Sequence, residues 1–205
     1  MKVLNLYAGI GGNRKFWKDV DVTAVEIEPK IAKIYQEFFP DDKVIVTDAH
    51  QFLLEHYDDG WDFIWSSPPC PTHSRIRNIA GVGCGQNKPV YPDMRLYAEI
   101  IFLNQVYNTS GTSFDGKFCV ENVASYYEPL IKPLIVGRHY FWTNFHITPY
   151  KLDTRGHMES NDVLMDIKGF DVNDKTLLRN CTEPELGEHI FNCGVKNIQN
   201  RLVEG

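Results

Sequence analysis

No stretch of this 205-residue chain comes near the roughly 18 apolar residues that cross a bilayer as a helix, and no basic segment leading into an apolar one marks a secretory signal. A soluble, intracellular protein is the expectation. Cysteine is sparse and irregular: five residues, an odd number without regular spacing, argue against a disulfide framework and for a reducing compartment. Cys181, His189 and Cys193 lack a fourth ligand and finger spacing, so no metal is expected. Positive charge is short as well. Lys and Arg total 21 against 27 Asp and Glu, a net charge of −6, whereas chains that hold nucleic acid usually carry a basic face. Any such contact must rest on local patches: Arg75, Arg77, Lys88 and Arg95 in one, Lys132, Arg138 and His139 in another. Internal repeats and low-complexity segments are absent, which excludes a repeat architecture.

What remains is ordinary globular composition, 43% hydrophobic and 23% charged, at a length that fits one well-buried domain. Its organising stretch is Ile64-Trp65-Ser66-Ser67-Pro68-Pro69-Cys70-Pro71-Thr72-His73-Ser74-Arg75. The apolar run 61–65 is continuous rather than alternating, as in a buried parallel strand. Pro68 and Pro69 stop it by fixing φ and removing two amide donors. Cys70 therefore falls just past the carboxyl end of a strand, where open α/β sheets place their ligand crevice. With His73, Arg75 and Arg77 close in sequence, positive charge favours an ionised, nucleophilic sulfur. The alternative is a small apolar side chain in a loop.

Upstream, a strand at 2–6 runs into Tyr7-Ala8-Gly9-Ile10-Gly11-Gly12-Asn13, where glycines allow a tight turn and close approach of backbone to a ligand. Residues 14–18 read as the first turns of a helix. The turn matches neither the dinucleotide pattern nor a phosphate loop; with its strand and helix it reads as a nucleotide or nucleoside cradle, the alternative being a plain structural turn. A second strand, 22–27, carries Glu26 at its end, placed to accept from ribose hydroxyls, and Glu28-Pro29 opens a helix over 30–39. A third strand, 43–46, leads to Asp48, which either meets an adenine amino group or caps a helix over 51–57. Residues 71–92, with Gly81, Gly83, Gly85, Pro89 and Pro92, read as a glycine-hinged lid. A helix over 94–107 follows, with Leu96, Ile100, Leu103 and Tyr107 on its core face. The strand 117–120 ends in Glu121-Asn122-Val123. Glu121 should share the crevice with Cys70, and a carboxyl partly shielded from water suits a proton donor. Segments 130–136 and 139–147 read as a hairpin, and beyond Lys151 only short packed pieces are legible.

A glycine turn, an acidic strand end, Asp48, Pro-Pro-Cys and Glu-Asn-Val, in that order, resemble the cytosine-C5 methyltransferases of DNA, the Dcm-type and DNMT-type enzymes. The resemblance covers about residues 1–147, and Pro68-Pro69-Cys70 separates the chain from amino-methylating relatives, which carry an aromatic residue where Cys70 stands. It implies a doubly wound, Rossmann-like α/β fold, a mostly parallel sheet with an antiparallel hairpin at its edge. It implies S-adenosylmethionine as methyl donor and S-adenosylhomocysteine as product. The cofactor would lie on Tyr7, Ala8, Gly9, Ile10, Gly11, Gly12, Glu26, Ile27, Asp48, Ala49 and Pro68. Cys70 would be the nucleophile toward C6 of a flipped cytosine, and Glu121 the group that protonates N3. Ser74, Arg75, Arg77 and Asn122 would face the nucleic acid.

Two departures stand out. The family's paired arginines have only Gly137-Arg138-His139 as counterpart, so Arg138 or His139 takes their role toward cytosine O2. Residues 148–205, read as a short extension packed on a 1–147 core in a single domain, are too few for an ordinary target-recognition domain. This resembles the compact enzymes of bacteriophages, acting in the cytoplasm of a bacterium or of a phage-infected host. Relaxed specificity, a homodimer or a recognition partner is the expectation. An RNA cytosine methyltransferase and a non-catalytic S-adenosylmethionine- or DNA-binding subunit are the alternatives.

Overall fold

A computed structural model describes residues 1–75, 90–108, 116–151 and 160–204. The strands are β1 (Lys2–Leu6), β2 (Asp21–Val25), β3 (Lys43–Ile45), β4 (Phe63–Ser66), β5 (Lys117–Val123), β6 (Leu134–Val136) and β7 (His139–Thr143). They form one seven-stranded sheet in the order β3-β2-β1-β4-β5-β7-β6. β1 to β5 run parallel, and β7 pairs antiparallel with both β5 and β6, which is the expected edge hairpin. The fold is therefore the expected mixed α/β sheet, with strand order reversing between β1 and β4, where such sheets open their crevice.

Among the described residues six helices flank it: α1 (Pro29–Phe38), α2 (Ala49–His56), α3 (Arg95–Asn108), α4 (Asn161–Lys168), α5 (Lys175–Asn180) and α6 (Pro184–Glu204). The two-residue period of the strands sorts their side chains between two apolar layers. Leu4, Leu6, Ile64, Phe118 and Val120 pack against Phe52 and Leu53 of α2 and Leu96, Ile100 and Leu103 of α3. Val3, Phe63, Trp65, Cys119 and Phe141 point the other way, against Trp17 and against Leu186, Ile190 and Phe191 of α6. Full burial of each large apolar side chain contributes about 1.5–3 kcal/mol, so both layers are needed.

The helix expected at 14–18 does not form. The amides of Gly11, Arg14 and Trp17 each reach back three residues in successive turns. Side-chain anchors hold that shape. Arg14 donates to Asp42 at 2.9 and 3.0 Å and to the Trp17 carbonyl at 2.8 Å, and Lys15 Nζ donates to the Lys168 carbonyl at 2.9 Å. α6 covers the sheet face that such a helix would occupy. Phe191 stacks on Trp17 with ring centroids 4.7 Å apart, and an added Cβ on Gly187 would lie 2.5 Å from the Asn13 carbonyl oxygen.

The C-terminal pieces legible in the sequence belong to α5 and to this 21-residue helix. Its core positions Leu186, Ile190 and Cys193 keep helical spacing, but Gly187 and Gly194 interrupt the propensity that would have shown it. The strand expected at 130–136 is shorter, because Pro133 cannot donate to the ladder. Residues 76–89, most of the lid reading, lie outside the described residues. Among the described residues no helix is long and apolar enough to cross a membrane.

If α6 holds the sheet as described, Phe191→Ala should cost about 3–5 kcal/mol of unfolding free energy, measured by denaturant titration. A change under about 1 kcal/mol would mean that this aromatic cluster is not formed.

Candidate functional site

Parallel strands bring the carboxyl ends of β1 to β5 to one edge. After β1 the chain bends sharply, with φ of 55° at Tyr7 and Gly9 and 86° at Gly11. For a tyrosine that conformation is strained and persists only where its surroundings hold it. The Tyr7 hydroxyl donates to Glu99 of α3 at 2.6 Å. The same buried carboxylate accepts Ser66 Oγ at 2.6 Å and meets His50 Nδ1 at 2.8 Å. One acid thus ties the ends of β1 and β4 to the start of α2.

The glycines divide by role. A Cβ on Gly9 would meet nothing within 4 Å, so its backbone borders open space. A Cβ on Gly11 would run into Phe39 and Tyr35, and one on Gly12 into Cys181 and Thr182. These two are packing glycines, and the Ile10 side chain lies in the core with Leu164 and Phe170. Beside the open space stands Glu26, 8% exposed. Its Oε2 accepts the Gly9 amide at 3.0 Å and its Oε1 the Glu28 amide at 2.9 Å. Each oxygen keeps a second lone pair, so the carboxylate is oriented by backbone yet still able to accept from a diol. Ile27, next in the chain, is 62% exposed and offers an apolar shelf. Asp48 caps α2: Oδ1 accepts the amides of His50 at 2.8 Å and Gln51 at 3.1 Å. Its Oδ2 stays 3.9 Å from Arg95 Nη1, and Ala49 is buried behind it.

Beyond β4, Pro68 is buried, and its carbonyl accepts Asn122 Nδ2 at 2.8 Å while Asn122 Oδ1 accepts the Val123 amide at 3.0 Å. Asn122 is 2% exposed. Its expected contact with nucleic acid is therefore corrected: Nδ2 holds the Pro-Pro-Cys loop onto β5, and Oδ1 is taken by the neighbouring amide. The Cys70 carbonyl accepts the amides of His73 and Ser74 at 2.9 and 3.0 Å. A bridge between Ser74 and Ser125 then ties this loop to the chain after β5.

The expected ionised sulfur is also corrected. Burial, and then the charge of Glu121, push the Cys70 thiol up to about 11. The nearby cations do not offset this. Burial pushes His73 down, its Nδ1 lying 2.5 Å from the Tyr127 hydroxyl, and Arg75 directs Nε to the Ser125 carbonyl at 2.9 Å. Arg77 lies outside the described residues.

Strand alternation places Glu121 and His139 on the face covered by α6. His139 pairs with Val123 across the ladder, so Glu121 sits on the diagonal, within reach of its ring. Nδ1 lies 2.6 Å from Glu121 Oε1. On the far side, Nε2 lies 3.1 Å from Oε2 of Glu183, the residue just before α6. Glu183 also accepts from Arg138 Nη2 and lies 3.4 Å from Lys168 Nζ. Burial pulls His139 down, but the hydrogen bond to Glu121, the contact with Glu183 and both carboxylate charges outweigh it and push it up to about 9. Burial raises Glu183, yet the His139 bond and the charges of Lys168 and Arg138 hold it far below the usual carboxylate range. The raised titration favours an imidazolium between Glu121 and Glu183, with Arg138 and Lys168 balancing the charge, against the Arg138 Nε–H that points at Nε2 from 3.3 Å and a Glu183 Oε2 that accepts no aligned hydrogen bond.

Glu99, Lys168 and Glu183 were not legible as site residues. Glu183-Pro184 repeats the Glu28-Pro29 helix opening, which signals a helix start and says nothing of partners. Among the described residues no group of three or more His, Cys, Asp and Glu is arranged to hold a metal ion.

The family model of the C-5 cytosine-specific DNA methylases matches residues 1–105. No curated protein matches the chain. Among solved structures, a hypothetical protein of Thermus thermophilus is 17% identical over 69% of this chain and 73% of its own, with a TM-score of 0.44. A variant of Dnmt2 from Spodoptera frugiperda is 27% identical over 60% of this chain, with a TM-score of 0.38, and this chain covers 35% of it. The Entamoeba histolytica methyltransferase EhMeth is 17% identical over 78% of this chain and 57% of its own, with a TM-score of 0.41.

The cluster makes stability depend on pH with a definite sign. A histidine raised on folding contributes stability that is complete below its ordinary 6.5 and lost as pH rises through about 9. Denaturant unfolding of the unaltered chain should therefore lose about 1–3 kcal/mol more across that window than His139→Gln does. Parallel curves for the two would remove the imidazolium from the account.

Proposed function

Because the chain belongs to the C-5 cytosine-specific DNA methylase family, we propose that it transfers a methyl group from S-adenosylmethionine to C5 of a flipped cytosine in DNA, through a covalent bond to Cys70. One observation carries the proposal. At a single edge of the sheet, Glu26 and the open backbone of Gly9 stand beside the Pro68-held Cys70 loop and the Glu121–His139 pair. A nucleoside cradle, a sulfur nucleophile and a proton donor are the three parts that this transfer requires.

The adenosine part fits the residues present. Glu26 would accept from the ribose hydroxyls, with Tyr7 and Ala8 shaping the turn beside Gly9. Ile27 would lie under the adenine, and Asp48 Oδ2 would accept from its amino group. The cofactor supplies an electrophilic methyl on a sulfonium. Everything else falls to the protein.

Cytosine C5 is too poor a nucleophile to take that methyl unaided. Cys70 Sγ, giving up its proton, bonds to C6. The C5–C6 electron pair shifts onto C5 while N3 takes a proton from Glu121. C5 then bonds to the methyl as the S–CH3 bond breaks. Loss of the C5 proton to solvent and return of the N3 proton to Glu121 re-form the ring as the Sγ–C6 bond breaks. Since the resting sulfur is a thiol near 11, its deprotonation is coupled to the arrival of the base. Of the two cations left open by the sequence, Arg138 is the one able to hold cytosine O2. Its side chain is 33% exposed, whereas the His139 ring is held between carboxylates. Arg75, exposed beside Ser74, is the candidate phosphate contact.

The test is nucleoside mass analysis of total DNA and RNA from cells lacking their own cytosine methylation, with and without the protein. A new 5-methyldeoxycytidine peak is expected. A shift in the RNA fraction alone would replace DNA by RNA as the substrate, and no shift in either would overturn the transfer. Cys70→Ala should abolish the peak while binding of S-adenosylmethionine, measured by calorimetry, stays within about twofold. Glu26→Ala should weaken that binding by about tenfold or more, the loss of one charge-assisted hydrogen-bond acceptor.

A further inference from the structure

Glu183 lies outside every motif that carries the proposed chemistry, yet it is the point where the C-terminal segment enters the site. Four features locate its role. It stands at the first turn of α6, which Pro184 opens. It reaches the His139 ring at 3.1 Å on the side opposite Glu121. Arg138 and Lys168 converge on its other oxygen. Lys168 in turn donates to the Cys181 carbonyl at 2.7 Å, and Cys181 faces Gly12 of the glycine turn.

We propose that Glu183 is a positioning residue for the transfer: it holds the His139 ring from behind so that Nδ1–H is aimed at Glu121 and can supply the proton that Glu121 presents to the base. The proposal rests on the methyl-transfer reading of the site. In that step His139 Nδ1 gives its proton to the Glu121 carboxylate, and Glu121 passes that proton on to cytosine N3. The neutral imidazole that remains keeps its Nε2–H toward Glu183. When the cytosine ring re-forms, the proton returns along the same path, so no external acid is consumed.

A competing arrangement is built into the same atoms. His139 Nε2 lies 3.3 Å from Arg138 Nε as well as 3.1 Å from Glu183 Oε2. One nitrogen cannot both accept from the guanidinium and donate to the carboxylate. With Glu121 on β5 already engaging Nδ1, a ring facing Glu183 is a cation between two anions. A ring facing Arg138 is neutral, and its one proton, on Nδ1, is too weakly acidic to pass on. The carboxylate contact is the shorter, but Glu183 Oε2 accepts no aligned hydrogen bond whereas the guanidinium N–H is aimed at the ring, so the groups around the ring decide the balance. Glu121 and Glu183 favour the cation; Arg138, Lys168 and burial oppose it. Glu183 is the member whose charge tips it. Removing that charge while keeping the shape leaves two cations opposing one carboxylate.

The experiment uses the full chain and two readouts. Imidazole NMR titration, with the His139 signal assigned by its loss in His139→Gln, should give a midpoint near 9 in the unaltered protein and at least one pH unit lower in Glu183→Gln. Transfer to the unmethylated DNA described above should lose its alkaline limb over the same interval, falling about tenfold at the upper end while staying within about threefold near neutrality. Glu183→Asp, which keeps the charge, should restore most of the limb.

A His139 midpoint near its ordinary 6.5 in the unaltered chain would overturn the proposal without any variant having to fold. So would an identical pH profile in Glu183→Gln, or an equal loss of activity at every pH. Absence of transfer by the unaltered protein to DNA and RNA would fail the underlying reading instead. The titration would still show whether Glu183 sets the charge on His139.

Discussion

The His139 ring lodged between Glu121 and Glu183 is the constraint on which the geometry of this site depends. It joins β5, β7 and the chain ahead of α6, three parts far apart in sequence, through Glu121, His139 and Glu183. Buried ion clusters add little net stability, because desolvation offsets most of the attraction. Removing one member is another matter, since it strands an uncompensated charge at a cost of about 3–5 kcal/mol. The cluster therefore acts as a latch that fixes geometry. α6 packs with Trp17 and Phe63, Glu183 ahead of it reaches one side of the ring, and Glu121 engages the other.

The same electrostatics explain a resting site that is quiet. Burial and the charge of Glu121 keep the Cys70 sulfur protonated, and the cations near it in sequence are directed to Ser125 or suppressed by burial. An exposed thiolate would be open to oxidation and to indiscriminate alkylation. A thiol that ionises only when a base is seated avoids both. In the proposed transfer the proton donor must act in step with the sulfur, a demand that the proposed relay from His139 through Glu121 meets.

Much of this was legible in the sequence. Continuous apolar runs gave the parallel strands, two prolines marked the end of β4, and the acidic residues closing apolar runs, Glu26 and Glu121, lie at the common edge. The family's order of motifs added the chemistry. Other features were hidden for physical reasons. The missing helix after the glycine turn depends on Asp42 and Lys168, distant anchors that no local pattern reveals. α6 carries two glycines that break its propensity signal, though packing against the sheet outweighs their cost. Asn122 read as a polar group free to meet nucleic acid, whereas burial commits it to Pro68. The state of Cys70 could not follow from neighbours in sequence, because burial is a property of the fold. Glu183 was hidden most completely, since its partners come from β7, the turn before it and α4.

The central claim is that Cys70 bonds to the cytosine ring, and the most direct measurement traps that bond. Fluorine at C5 cannot leave as a cation, so a cytosine carrying it should stop the reaction after methyl transfer, with Sγ still on C6. The intact mass of the protein, incubated with S-adenosylmethionine and DNA containing 5-fluorodeoxycytidine, should increase by that of the methylated strand, and not in Cys70→Ala. Ordinary DNA methylated at C5 under the same conditions, with no adduct on the fluorinated strand, would contradict the mechanism.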